Sequence, residues 1–262
     1  MSTEQCLDDA VDLHKYVKVI KKRKKMILIT FLICLITTAV VTFRMPKTYE
    51  VSAIVRIGSF GDLLISKQDA QYAIESQSVL NGAIKKFKLD ITSDELSELI
   101  VTNDIVSTDL MYILVRYDSP EIAFNLSKYI ADSFITLGQT IYKKKYEFIS
   151  EAIKKEEGRL SGISNYQKKL NEGILGKEYE LDFPLIQNTL FSYESITNDI
   201  NERIYDQKIV LMNAKEFELF ETPLLPKSAV KPNIKLNLVL AAILGLMLGV
   251  FGAFLKEFFM EK

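Results

Sequence analysis

Apolar residues along this chain fall into three patterns. Two uncharged runs, Met26–Phe43 and Leu236–Leu255, stand near its two ends. Between them lie short segments of alternating apolar and polar residues, then a long stretch with apolar positions three and four apart. The run at 236–255 is 20 residues long, and at about 1.5 Å per residue it covers a hydrocarbon core of about 30 Å. The run at 26–43 is longer than an ordinary leader's apolar region, and its poor cleavage site, Thr37-Thr38-Ala39, lies inside it. It reads as an uncleaved signal-anchor. The pattern predicts a water-soluble middle pinned to a membrane at both ends.

Residues 8–20 place Val11, Leu13, Tyr16, Val17 and Ile20 largely on one helical side, with Asp8 and Asp9 first and bases last. That suits a short interfacial helix feeding the first span. After the span, residues 48–57 are rich in β-branched and aromatic side chains and read as a strand ended by Gly58. Residues 61–67 read as a loop. Helical spacing over residues 69–87 is interrupted near Ser76–Ser78, and Thr92-Ser93-Asp94-Glu95 starts a short helix with Thr92 or Ser93 as cap. Ile100–Val106 and Leu110–Tyr117 read as strands joined at Ser107-Thr108-Asp109.

Asp118-Ser119-Pro120-Glu121 opens the longest element, since proline fits the first helical position and glutamate suits its positive end. The helical pattern runs to about Asn171. Its outer part carries a seven-residue pattern of Ile149, Ile153, Glu156, Leu160, Ile163, Gln167 and Leu170, weakened at Gly158 and Gly162. Gly173, Gly176 and Pro184 mark the turn-round. Leu190, Tyr193, Thr197, Ile200, Ile204, Gln207, Leu211 and Ala214 then form a returning seam. Two such seams predict an antiparallel helical hairpin. Their polar members, Glu156, Gln167, Thr197 and Gln207, suit a hairpin of modest stability that packs on copies of itself. Phe217–Phe220 reads as a last strand lying back on the base sheet.

Charge then gives this layout a direction. Lys15, Lys18, Lys21, Lys22, Arg23, Lys24 and Lys25 precede the first span, while the net charge of the whole chain is only −1. A basic flank beside a span stays in the cytoplasm, and its position argues against a nucleic-acid patch. Both termini are therefore expected in the cytoplasm, with residues 44–235 outside. The expected divisions are a cytoplasmic tail with interfacial helix (1–25), a transmembrane helix (26–43), an α/β base (44–117) and a hairpin arm (118–216). A last strand and proline-rich strut (217–235), a second transmembrane helix (236–255) and a short cytoplasmic tail (256–262) follow. The fold class is an α+β membrane protein in which two transmembrane helices flank an extracytoplasmic α/β base with a long antiparallel hairpin.

Pro223, Pro226 and Pro232 lack N–H groups and fix φ, so they favour an extended, semi-rigid strut. In the second apolar run Ala241, Gly245, Gly249 and Ala253 recur every four residues and form one small-residue ridge, a face on which another helix can approach closely. Its partner, the first span or a neighbouring subunit, is left open by the sequence. Neither run holds an Asp, Glu, Lys, Arg or His, which argues against ion or proton conduction.

Catalytic chemistry is not legible. The nearest phosphate-loop fragment, Gly173-Ile174-Leu175-Gly176-Lys177-Glu178, is one element short and lacks the Ser or Thr after lysine. The one histidine, His14, and the cysteines, Cys6 and Cys34, fall outside the middle region, so no disulfide framework or metal-ligand cluster is expected there. Carboxylates such as Glu147, Glu151, Glu156 and Glu157 alternate with lysines as on a solvated helix. The expectation is a non-enzyme with no cofactor, no metal and no catalytic residue.

Several of these pieces together resemble the chain-length determinant (Wzz-type) proteins, also called polysaccharide co-polymerases. They are Val11-Asp12-Leu13 with the basic run before the first span, Tyr49-Glu50-Val51-Ser52-Ala53 after it, Asp118-Ser119-Pro120-Glu121-Ile122-Ala123, and the closing proline segment with its Gly-rich span. The resemblance implies a homo-oligomer in the bacterial inner membrane with a periplasmic central domain. It implies regulation of the length of a surface polysaccharide, such as lipopolysaccharide O antigen, alongside a separate polymerase and the growing chain. Two alternatives are an adaptor for a separate tyrosine kinase in capsule or exopolysaccharide export, and a two-span sensor with an outward ligand domain. Neither tail is long enough to hold a sensor's output module. The chain is short for the group, which implies a reduced arm.

Overall fold

The computed structural model describes residues 13–175 and 183–260. Cys6, Val11 and Gly176 lie outside the described residues. The chain divides into two compact units: one holds residues 1–50, 118–120 and 226–262, the other residues 51–117 and 121–225.

Among the described residues the first unit contains three helices. α1 (Leu13–Lys22) is separated from α2 (Lys24–Arg44) by Arg23, and α8 (Ile234–Met260) comes last. α2 and α8 are long and apolar enough to cross a membrane. Both extend beyond the uncharged runs, because helical geometry continues into the polar flanks once the backbone is committed. Asn233 starts α8: its side-chain carbonyl accepts from the Leu236 N–H at 3.2 Å, and its backbone carbonyl accepts from Asn237. An Asn in this place satisfies amides that the helix itself leaves unpaired.

In the second unit a sheet runs in the order β4 (Ile100–Asp104), β5 (Leu110–Tyr117), β1 (Tyr49–Arg56), β6 (Glu218–Glu221). β4 and β5 are antiparallel, with Ile100 opposite Val115 and Asp104 opposite Met111. β6 is antiparallel to β1, with a register irregularity between Ile54 and Val55. Alternation decides the buried face: Val51, Ala53 and Val55 of β1 and Met111, Ile113 and Val115 of β5 are buried while their neighbours are not. Where a loop was expected at 61–67, the chain instead makes a small antiparallel pair, β2 (Ser59–Phe60) and β3 (Asp62–Leu63). Gly61 lies between them at φ +89°, a conformation open to glycine, so the turn is tight enough for strand pairing on both sides.

Two helices cover the sheet where the interrupted periodicity placed them. α3 (Lys67–Ile74) is capped by the Ser66 hydroxyl, which accepts from the Asp69 N–H at 3.0 Å, and α4 is Gln77–Phe87. α5 (Ser93–Glu98) has Thr92 as cap in a reciprocal box with Glu95. α6 (Pro120–Leu175) is one helix of 56 residues, about 84 Å long at 1.5 Å per residue. Its first turns lay Leu126, Ile130, Ala131 and Phe134 onto the sheet core. Phe217 completes that core rather than opening the strand. Its ring meets Phe134 edge-on at 5.6 Å and lies against Gly58 and Gly138. A Cβ at Gly138 would stand 2.2 Å from the ring, so only a residue without one allows the aromatic in.

α6 continues past Gly158, Gly162 and Gly173, and α7 (Phe183–Met212) begins one residue before Pro184. Gly173 and Pro184 are thus helical, and residues 176–182 between the two helices lie outside the described residues. Glycine costs a helix about 1 kcal/mol relative to alanine, which cooperative neighbours offset, and proline is tolerated in a first turn.

Candidate functional site

The features singled out from sequence are a ridge, a strut and a seam. In the first unit Ala241, Gly245, Gly249 and Ala253 are all buried, and α2 is what covers the two glycines. A Cβ on Gly245 would lie 3.0 Å from the Cys34 Cβ and 3.3 Å from the Phe31 Cα, and one on Gly249 would lie 3.1 Å from the Ile27 carbonyl oxygen. The four-residue spacing thus brings two backbones close, where dispersion between main chains replaces the hydrophobic drive that lipid does not supply.

Polar ties close both ends of this helix pair. At one end the Asn237 amide donates to the buried Thr42 hydroxyl at 3.3 Å. At the other, buried Glu257 accepts from Arg23 Nε at 3.0 Å and pairs with Lys22. Arg23 is the residue between α1 and α2, so the pair fixes the end of α8 to the α1–α2 junction. Sequence reading missed Glu257, which lies just past the uncharged run and 234 residues from Arg23.

The strut runs from 222 to 233 without helix or strand. Pro223 is buried, Pro226 and Pro232 half-buried, and Lys231–Pro232 is cis. The segment gains one bridge to the residues after the first span: Thr48 N–H donates to the Lys231 carbonyl at 3.0 Å, and Val230 N–H donates to the Thr48 carbonyl at 2.8 Å. Pro232 has no N–H to contribute, and the pairing ends there.

In the hairpin, Ile149 and Ile153 of α6 meet Ile200 and Ile204 of α7 in one buried cluster, flanked by Leu160, Ile163 and Leu211. Leu170 and Leu190, farther toward the tip, are half-buried and outside that cluster. Lys208 pairs with Glu157 across the hairpin at 2.8 Å. Thr197 Oγ1 and Gln207 Oε1 are buried without a hydrogen-bond partner.

Where β1, β6 and the β4–β5 turn meet, Asp109 takes Lys215 at 2.8 Å and Arg56 at 3.5 Å, and Arg56 also pairs with Glu218. Burial pushes the Asp109 carboxyl up, but the Lys215 hydrogen bond, a backbone hydrogen bond and the two positive charges outweigh it and leave the pKa below the ordinary value. This cluster ties strands rather than presenting a reactive group. Among the described residues no three His, Cys, Asp or Glu side chains come together as a metal site.

Two apolar helices of spanning length stand either side, in the sequence, of an α+β domain and a long helical hairpin. Residues 9–102 match the family model described as Wzz, chain length determinant protein. No curated protein matches the chain. Among solved structures, a full-length bacterial polysaccharide co-polymerase is similar at 13% identity, covering 97% of this chain and 99% of that one with a TM-score of 0.46. A fragment of the co-polymerase WzzB from Salmonella Typhimurium is 12% identical, covering 71% of this chain and 100% of that one with a TM-score of 0.30. A Wzz dodecamer is 13% identical, with 71% and 99% covered and a TM-score of 0.23.

Proposed function

We propose that this chain is a non-catalytic membrane scaffold that regulates the length of a surface polysaccharide, such as lipopolysaccharide O antigen, together with a separate polymerase. The observation that carries this reading is the match of residues 9–102 to the chain length determinant family, which takes in α1 and α2, β1 to β3, α3 to α5 and most of β4. The basic flank from Lys15 to Lys25 supports an inner-membrane orientation with cytoplasmic termini and a periplasmic middle. Buried polar atoms left unpaired at Thr197 and Gln207 support a hairpin completed by self-association. In this reading several copies form a homo-oligomer whose outer surface stands at a fixed place beside the polymerase. A growing glycan is held or released according to its reach, so geometry rather than bond chemistry sets the modal length.

Deleting the gene and resolving the extracted surface glycan on a gel tests this. The expected result is loss of the modal length cluster and its return on complementation. An unchanged ladder would remove the proposal.

A further inference from the structure

One concavity in the second unit has a composition that the scaffold role leaves unexplained. It has a volume of about 510 Å³ and is lined by Gln139, Tyr142, Lys143, Tyr146 and Glu216. That size falls within the range of about 300–1,000 Å³ that small-ligand pockets occupy. Positions 139, 142, 143 and 146 share one face of α6 by their spacing of three and four. The Tyr142 and Tyr146 rings lie 6.3 Å apart at 24°, and Phe60 of β2 stacks on Tyr142 at 4.8 Å and 30°. Three aromatic rings therefore form a row, held in place from the β2–β3 turn. Tyr146, at the outer end, is 45% exposed.

We propose that this row is a saccharide-contact site for the polysaccharide whose length the protein regulates; the inference rests on the function proposed above. A pyranose ring has an apolar C–H face and a rim of hydroxyls. The first packs on an aromatic face and the second needs planar acceptors and donors nearby. Tyr146 offers the face, while Gln139, Glu216 and Lys143 offer an amide, a carboxylate and an ammonium. Gln139 and Glu216 have no side-chain hydrogen bond among the described residues, and Lys143 reaches Glu147 only at 4.0 Å. Burial, followed by the Glu216 charge and Tyr146, pushes the Tyr142 phenol up, so its hydroxyl stays a donor through the neutral range. Because the stack exists before any ligand arrives, little side-chain freedom is lost on contact. A second copy of the chain is a poorer occupant. Dry interface cores are depleted of Lys and Glu, and covering Lys143 and Glu216 would desolvate both, whereas a hydroxylated ligand leaves them hydrated.

The test uses the full chain in nanodiscs and, as probe, oligosaccharides of a few repeats released by mild acid from the surface polysaccharide of the cells that make it. Saturation-transfer NMR reads binding. Tyr146→Ala should weaken it about fivefold, the loss of one stacked ring, and Glu216→Gln should weaken it too, while Tyr146→Phe retains it. Tyr166→Ala, an exposed tyrosine elsewhere on α6, should leave it unchanged and controls for surface loss. Circular dichroism melts of each variant confirm folding. Equal binding by Tyr146→Ala and the parent would overturn the inference, as would a fall in oligomer size with binding intact, which assigns the face to a second copy. Loss of binding in Tyr146→Ala and Tyr166→Ala alike would also overturn it. If gene deletion changes glycan length while Tyr146→Ala binds normally, this inference fails alone; if deletion changes nothing, the reading beneath it fails as well.

Discussion

Beneath the sheet, Val55, Ile57, Ile113, Val115, Leu126 and Phe134 are sealed from solvent and contact one another, with α3, α4 and the start of α6 closing the core. Along the hairpin the buried centre is four isoleucines, Ile149, Ile153, Ile200 and Ile204, and the same seam buries Thr197 and Gln207 with atoms unpaired. The base also buries unpaired atoms, at Ser127 and Arg56, but sets them in a far larger apolar core. The hairpin spends part of its interface on groups that gain nothing from being inside, so it is held near the base and loosened farther out. Under the proposed function, the base would serve as a foundation and the hairpin as an arm whose packing other copies complete.

Four substitutions or conditions test that contrast, from the largest effect to the smallest. Phe134→Ala should cost about 3–5 kcal/mol, since it empties a filled site beside Phe217 and α6 cannot collapse into it; thermal melting of the full chain in detergent reads this. Ile200→Ala should cost about 2 kcal/mol, the low end for a buried aliphatic, because one side of the hairpin is already open. Its effect should appear as lost hydrogen-exchange protection in α7 with the sheet amides unchanged. If the sheet amides lost protection equally, base and hairpin would be one cooperative unit and the contrast would dissolve.

Gln207→Leu combined with Thr197→Val should go the other way and stabilise the isolated hairpin packing by about 1 kcal/mol, by removing buried atoms that lack partners. Slower exchange in α7 is the expected readout; faster exchange would mean those atoms are paired in the assembled protein. The smallest effect is electrostatic. Asp109 keeps its charge to lower pH in the folded chain than in the unfolded one, so its contribution is full above the ordinary carboxylate range and drains away as pH falls through it. Asp109→Asn should flatten that acid limb by less than about 1 kcal/mol, as expected of ion pairs at a surface. A limb that stays as steep in the variant would place the acid sensitivity elsewhere.

The same contrast explains how far the sequence could be read. Period-two alternation in residues 49–56 and 110–117 and the start signals at Thr92 and Pro120 act locally, and each produced the expected element. The Gly138–Phe217 fit was not legible, because nothing local to either residue marks a ring seated on a helix 79 positions away in the chain. Glu257 carried no signal in the sequence, since its meaning depends on Arg23. Gly173 and Pro184 bracket the gap between α6 and α7 as expected, yet each lies inside a helix, because one glycine costs only about 1 kcal/mol and proline fits a first turn. The tyrosines at 142 and 146 carried a signal in their four-residue spacing, and it became a site only once Phe60 and Glu216 were seen beside them.

The proposed function depends most heavily on where the hairpin lies. With Cys6 and Cys34 replaced by serine, single cysteines at Tyr166 on the hairpin and Val106 beside the sheet, both exposed, can be probed with a membrane-impermeant maleimide in cells whose outer membrane has been opened. Labelling of both positions before the inner membrane is lysed is the predicted result. Labelling of either only after lysis would put that part of the chain in the cytoplasm and contradict the proposed scaffold.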